Sequence, residues 1–384
     1  MNLMQSETAI SNMTSPESNI SSTTWTSEKP GYAISSINTT LQTAASSEYM
    51  FERHGAEIIF LLSMFFFAIF GNIMVIYIYH FRWRRSNFSL FIEVLAFLDL
   101  INASITIPLF LVITFDESRD DFAQLCQGGS FVAITTAMGS GVILVIIAFD
   151  RNRKICEPLK REISLSLTRK SCLFAVCVGI VLAIPSIFIY GEKDLPSEVN
   201  GVKLNITQCY FTESSGPLFW SFMSILGFVF TGVMLALAVL YLSMYRALRV
   251  HLARRESLGS SRRPSTTSCK PNSMRSQKTS AKIFFAVTVA FFSSYFPFFI
   301  AVTVFLFGYH GSDLSPAVKA VADIAKLSPL MSNVINPIIY SVSSRRFRKE
   351  LVDVFRCAAL KRTPSQRARQ KVHVKTHTSS TGDL

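Results

Sequence analysis

Seven long apolar stretches constrain this chain more than any other feature. Residues 58–79, 122–149, 171–191, 214–245 and 283–312 contain no Asp, Glu, Lys or Arg. Residues 88–115 carry only Glu93 and Asp99, and residues 320–344 only Asp323 and Lys326. A helix needs roughly 20 apolar residues to cross a bilayer, and each stretch reaches that length. A soluble protein buries one or two such helices, not seven. Barrel strands are shorter, and lipid admits only helices or closed barrels. The expected fold is therefore an all-α membrane protein, a bundle of seven transmembrane helices. Composition agrees: 16% of residues are charged, against roughly 25% for a typical soluble domain.

The net charge is +13, so its location matters. Of the 38 Lys and Arg, 31 fall in the loops after spans 1, 3 and 5 and in the C-terminal tail. Positive charge stays on the cytoplasmic side. The N-terminus is therefore expected outside and the C-terminus inside, at the plasma membrane, with the bilayer rather than nucleic acid as the partner of the basic face. Residues 1–55 are rich in Ser and Thr and read as a disordered extracellular tail. They contain no signal-peptide core, so span 1 is expected to insert itself. Sequons at Asn12, Asn19, Asn38 and Asn205 lie on the expected outer side as glycosylation sites. Those at Asn87 and Asn102 fall inside the cell and within span 2.

Seven cysteines are present. Cys126 opens span 3, and Cys209 lies in the long outer loop after span 4. They are the two on the oxidising side, so a Cys126–Cys209 bridge is expected. Cys172 and Cys177 read as packing residues, and Cys156 and Cys269 as free thiols. Cys357 follows a basic amphipathic segment and is a candidate palmitoylation site. The Cys and His spacing suggests no metal cluster.

Ionisable groups at membrane depth are costly and become functional candidates. Asp99 sits in mid-span 2; a hydrogen-bonded packing carboxylate is the plainer alternative. Asn72, Ser140, Ser332 and Asn336 are further polar groups in apolar helices, where interhelical hydrogen bonding is their commoner use. Asp150-Arg151-Asn152 closes span 3. Pro297 and Pro337 interrupt the hydrogen-bond ladders of spans 6 and 7 and offer hinges.

These features in combination resemble the rhodopsin-like (class A) G-protein-coupled receptors over residues 58–357, of the peptide-binding, invertebrate-like type. Span 1 has Gly71-Asn72, and span 2 has Leu95-Ala96-Phe97-Leu98-Asp99. Cys126 precedes Arg151 by the family spacing, and Asp150-Arg151-Asn152 resembles the DRY motif. Tyr241 matches the span-5 tyrosine, and Phe291 and Pro297 fall at the span-6 spacing. Asn336-Pro337-Ile338-Ile339-Tyr340 matches NPxxY, followed by Phe347 of an amphipathic eighth helix. The resemblance implies a tail at 1–55, a receptor bundle at 56–343, an eighth helix at 344–357 and a disordered cytoplasmic tail at 358–384. It implies an extracellular ligand and a heterotrimeric G protein. The coupling switch comprises Asp150, Arg151, Asn152, Tyr241 and Tyr340, and the hinge Phe291, Tyr295, Pro297, Asn336 and Pro337. Asp99, Ser140, Ser332 and Asn336 match positions that hold an allosteric sodium ion, and no other cofactor is implied.

Four departures stand out. Tyr295 replaces the span-6 Trp, and Asn152 the DRY tyrosine. Val233 replaces the span-5 proline. Gln277 replaces an acid that tethers the arginine in some members, which predicts raised basal activity. Ser257 and Ser265 sit in basophilic-kinase contexts. Thr376, Thr378, Ser379, Ser380 and Thr381 offer an arrestin-recruiting cluster once phosphorylated.

Two ligand classes are trimmed. The retinal-lysine position is Leu330, with Lys326 expected to pair with Asp323 instead, and the monoamine-aspartate position is Ala133. A peptide is favoured by the long outer loop, whose residues 202–211 alternate toward a β-hairpin, and by the acidic rim of Asp116, Glu117, Asp120 and Asp121. Small-molecule or lipid ligands stay open, since Phe296, Phe298 and Phe299 form an apolar outer face. A secondary transporter is the rival from another class, but no internal repeat is visible. An enzyme is not expected: HExxH is missing, and Gly139-Ser140-Gly141 reads as a close-packing site.

Overall fold

The computed structural model describes residues 30–115, 121–157, 159–199, 202–211, 216–258, 271–306 and 316–361. Two compact units are distinguished, Met1–Tyr49 and Met50–Leu384. In the first, the backbone is helical from Pro30 onward. Asn38 sits on that helix.

Seven membrane helices form the second unit. α1 (Pro30–Tyr77) ends in a π-helical turn (Ile78–Arg82). α2 spans Asn87–Phe115, α3 Phe122–Cys156, and α4 Leu165–Ala183. α5 is the single turn Ser186–Ile189. The fifth and sixth spans are α6 (Gly216–Leu258) and α7 (Pro271–Leu306). Among the described residues, six helices are long and apolar enough to cross a membrane singly. The seventh span is built differently: α8 (Pro316–Leu327), a 3₁₀ turn (Ser328–Met331) and α9 (Ser332–Ser343). Pro329 falls in the 3₁₀ turn, where its missing N–H breaks the α-helical ladder.

Two ends depart from the sequence expectation. Span 4, read to residue 191, stops at Ile189, because Pro185 interrupts α4 and Tyr190 begins a strand. The eighth helix, α10 (Arg345–Lys361), runs four residues beyond its expected end at 357. Ser344 caps it, its Oγ accepting from Phe347 N at 3.2 Å. Phe347, the first apolar residue of that helix, is buried.

The expected hairpin is present, with strand β1 (Tyr190–Val199) pairing antiparallel with β2 (Val202–Phe211). It adds a small sheet to the otherwise helical fold. Cys126 and Cys209 are bridged, with Cα atoms 5.5 Å apart, so β2 is tied to the start of α3.

α3 is the central helix and packs on α2, α4, α6, α7 and the hairpin. A continuous core runs along it, from Leu95 and Ile147 to Phe284, Phe291 and Tyr340. Close packing is expected from Gly139, but a Cβ there would come no nearer than 3.6 Å to Ala175 O; the glycine that permits the close approach of α3 and α4 is Gly179 on α4. A Cβ on Gly179 would strike Thr135 O and come within 2.9 Å of Gly139 N. Both obstacles are backbone, so α4 would have to move away. Gly179→Val is expected to cost ~1–3 kcal/mol through overpacking, read as a lower unfolding temperature of purified protein. An unchanged temperature would mean that α4 relaxes freely.

Candidate functional site

Three linked features lie along the bundle axis, from the hairpin end to the arginine end. At the hairpin end, a cavity of about 360 Å³ opens between the helices. Its apolar walls include Ile134, Met138, Leu226, Phe230 and Phe299, and Cys209 of the hairpin lies at its edge. Polar groups enter from α1 and α8. His54 Nδ1 lies 3.1 Å from Glu57 Oε2, and Lys326 Nζ donates to Asp323 Oδ1 at 2.9 Å. The expected Lys326–Asp323 pair is thus formed, one turn apart on α8. Ala133 and Leu330 also line this cavity. Of the acidic rim, only Asp121 lies within the described residues.

Tyr295 forms part of this cavity and also part of a second one, of about 10 Å³, deeper in the bundle. Its ring lies tilted against Phe291 at 4.7 Å and 5.5 Å from Phe230. Pro297 lies two residues further along α7. A side chain expected to act as a hinge is therefore the partition between the two cavities.

The deep cavity brings together Asp99, Ser140, Ser332 and Asn336, all four expected. Asp99 is 5% exposed. Asn336 Nδ2 donates to Asp99 Oδ2 at 2.7 Å. Ser332 Oγ donates to Pro329 O, which leaves its lone pairs able to accept. Asn102 and Asn333 complete the site, Asn102 Nδ2 donating to Asn333 Oδ1 at 3.3 Å. Asn102 Oδ1 is buried and has no hydrogen-bond partner among the described residues. Asn72 Nδ2 donates to Asn333 O at 2.7 Å and so joins α1 to α9. Gly71 allows that approach, because a Cβ there would meet the Pro337 ring at 2.9 Å. Among the described residues no cluster of three His, Cys, Asp or Glu side chains is found. One carboxylate with hydroxyl and amide oxygens suits a hard monovalent cation rather than a transition metal.

At the arginine end, Arg151 Nη2 lies 2.8 Å from Asp150 Oδ2, with the side chains 3% and 1% exposed. Lys154 Nζ adds a second cation 3.3 Å from the same oxygen. Asn87 Nδ2 donates to Ile163 O at 2.9 Å and, at 3.5 Å, to Asp150 Oδ1. Asn152 Nδ2 donates to Leu240 O at 3.0 Å, holding α3 to α6. Gln277 Oε1 accepts from Arg151 Nη1 at 3.4 Å, so α7 still reaches the arginine through a neutral contact. Tyr241 and Tyr340 are engaged elsewhere. The Tyr241 hydroxyl meets Thr288 Oγ1 at 3.0 Å, and the buried Tyr340 ring packs on Tyr79 and Phe347.

Residues 71–340 match the family model for the seven-transmembrane receptors of the rhodopsin family. The chain belongs to that family. Among its relatives is a Gq-coupled rhodopsin of Mizuhopecten yessoensis, 27% identical over 74% of this chain and 56% of the relative's length. A QRFP-like peptide receptor of Branchiostoma floridae is 22% identical over 80% of both chains. The crystal structure of squid rhodopsin superposes with a TM-score of 0.62 at 20% identity, over 78% of this chain and 84% of the other. It has the same fold, a multi-pass bundle of seven helices.

Sequence reasoning missed several parts of this receptor's sites. Asn333 lies one helical turn from Asn336, a spacing that places both on one face. Asn102 was set aside as a sequon, yet it faces the deep cavity. Phe88 and Phe284 look like ordinary apolar residues and contact Arg151. Asn12, Asn19, Ser265 and the tail cluster 376–381 lie outside the described residues, as do the side chains of Asn38, Asn205, Ser257 and Cys357.

Proposed function

We propose that this rhodopsin-family receptor binds an extracellular ligand in the 360 Å³ cavity and activates heterotrimeric G proteins through outward displacement of α7. The observation that carries this reading is the shared position of Tyr295. A ligand filling the upper cavity presses on the side chain that also walls the deep polar site, on the helix whose other end contacts Arg151 through Gln277. The hairpin end faces outward and the arginine end inward, in keeping with the bias of Lys and Arg. On activation Arg151 exchanges Asp150 and Gln277 for the G protein and for Tyr241 and Tyr340, and α7 bends at Pro297.

A peptide is the favoured ligand. The disulfide-held hairpin forms an edge for an extended chain, the cavity accepts a few terminal side chains, and a peptide receptor is among the relatives. The apolar cavity walls also favour a second reading, a small apolar ligand, and a rhodopsin is among the relatives too. Exposing the membrane-reconstituted receptor to a peptide library, with nucleotide exchange on a panel of Gα subunits as readout, tests the assignment. Ligand-stimulated exchange supports it. Ligand flux into vesicles without exchange would point to a transporter instead.

The deep cavity fits a sodium ion in the resting state. Asp99 supplies the charge, and Ser140, Ser332 and the orphan Asn102 Oδ1 supply neutral oxygens. Asn336, expected as a ligand, turns its amide N–H toward Asp99 and so orients the carboxylate instead. A resident ion offsets the carboxylate charge and stabilises the resting bundle. Sodium is therefore expected to raise the unfolding temperature of the ligand-free receptor relative to an equal concentration of a large organic cation. Asp99→Asn should remove the difference; an unchanged salt response in that variant would sink the ion site. Arrestin recruitment through the phosphorylated tail, glycosylation of the sequons and palmitoylation of Cys357 belong to the same reading.

A further inference from the structure

Arg151 touches more than its carboxylate partner and Gln277. Its guanidinium carbon lies 5.9 Å from the ring centroid of Phe88 and 5.7 Å from that of Phe284. The two rings meet edge to face, 5.4 Å apart at 66°. Phe88 comes from α2 and Phe284 from α7, so rings from two separate helices, in contact with each other, lie side by side against one cation. Phe284 is completely buried. A cation within about 6 Å of a ring centroid is drawn to the ring's negative face, more strongly where water is excluded. Arg151, at 3% exposure, meets that condition.

The Phe88 ring is itself held from behind. It packs on Tyr79 at 6.0 Å and Trp83 at 6.4 Å. Tyr79 stacks on Phe347 of α10 at 5.8 Å, and Arg346 of α10 lies 4.0 Å over the Trp83 ring. Arg82 pairs with Glu350 at 3.0 Å. Phe88 is thus fixed to the first inner turn and the eighth helix, while Phe284 rides on α7.

We propose that Phe88 and Phe284 form an L-shaped aromatic slot along one side of the Arg151 guanidinium and hold it in its resting position, taking over the tether that an acid at position 277 would supply. The proposal rests on the reading of Arg151 as the group released toward the G protein. Displacement of α7 withdraws Phe284 and removes one of the two ring faces that attract the cation. Phe88, anchored on α10, stays behind. Release of the arginine is thereby coupled to α7 by a contact that needs no ion pair, and the two phenylalanines are positioning residues.

The test uses full-length receptor in lipid nanodiscs with no ligand added, and two readouts. One is basal nucleotide exchange on a panel of purified Gα subunits with their βγ partners. The other is the distance between spin labels at Arg169→Cys and Lys282→Cys, in a background where Cys156, Cys177, Cys269 and Cys357 are Ser. Phe284→Leu and Phe88→Leu keep apolar bulk and remove the π face. Each is expected to raise basal exchange roughly tenfold, a shift of about 1.4 kcal/mol, and to lengthen the label distance. Phe88→Tyr keeps the ring at a half-buried position and is expected to behave as wild type. Leucine variants at wild-type values in both readouts overturn the slot. So does a Phe88→Tyr variant that rises with the leucines, because bulk packing would then be the cause. A lengthened label distance with no exchange on any Gα supports the slot and defeats the G-protein reading instead.

Discussion

Asp150→Asn is expected to give a receptor that signals without ligand. The change leaves Arg151 buried at 3% exposure with its nearest anion removed. Breaking a buried ion pair from one side costs about 3–5 kcal/mol, because the remaining charge is desolvated and uncompensated. Under the proposed mechanism only the resting arrangement bears that cost, because Arg151 is solvated again once it turns toward the G protein. The equilibrium therefore moves toward the active state by at least tenfold, the equivalent of about 1.4 kcal/mol. Asparagine retains the size of Asp150 and an acceptor for Asn87, so the helix itself should persist. Ligand-free nucleotide exchange should rise while the unfolding temperature falls. Exchange at the wild-type level, with equal amounts of receptor, would show that Gln277 and the two phenylalanines hold the arginine without the carboxylate.

The second large effect lies at the opposite end. Cys126→Ser or Cys209→Ser opens a bridge between residues 83 apart in sequence. Losing such a cross-link costs ~2–4 kcal/mol. Here the loss also unfastens the hairpin, since β2 carries Cys209 at the edge of the 360 Å³ cavity. Surface expression should drop steeply in either variant, and the double serine variant should be no worse than either single one, because all three lose the same bond. A double variant clearly worse than both singles would mean that each cysteine has a separate role. Normal expression of the single variants would show that strand pairing and burial hold the hairpin unaided.

Two arrangements compete for Arg151, and the contact with Gln277 bears on their balance. A neutral amide at 3.4 Å is a weaker tether than a carboxylate. The expectation of raised basal activity was drawn from that difference alone. The surrounding rings and the Asp150 pair add attraction that no reading of position 277 contains.

What could be read in the chain follows from how a membrane restricts it. Lipid forces backbone polar groups to be satisfied within each segment, so apolar length alone located the spans. The same cost of burying charge made Asp99, Asp150 and Arg151 conspicuous. Compartment chemistry singled out Cys126 and Cys209. The bias of Lys and Arg proposed an orientation. These are one-dimensional signals, carried by residues that are costly in their surroundings.

Tertiary structure decided what is inexpensive locally and matters only in combination. Gly179 meets Gly139 because α4 crosses α3 at that point, and a glycine in an apolar helix does not announce its partner. Asn102 and Asn333 became part of the Asp99 site only when α2 and α9 came side by side. The seventh span proved to be two helices joined by a 3₁₀ turn at Pro329, which hydropathy alone does not distinguish from an unbroken helix. Phe88 and Phe284 lie 196 positions apart among 33 phenylalanines. Only the packing of α2 and α7 on α3 brings their rings to one guanidinium, because apolar side chains carry no address beyond the face they bury.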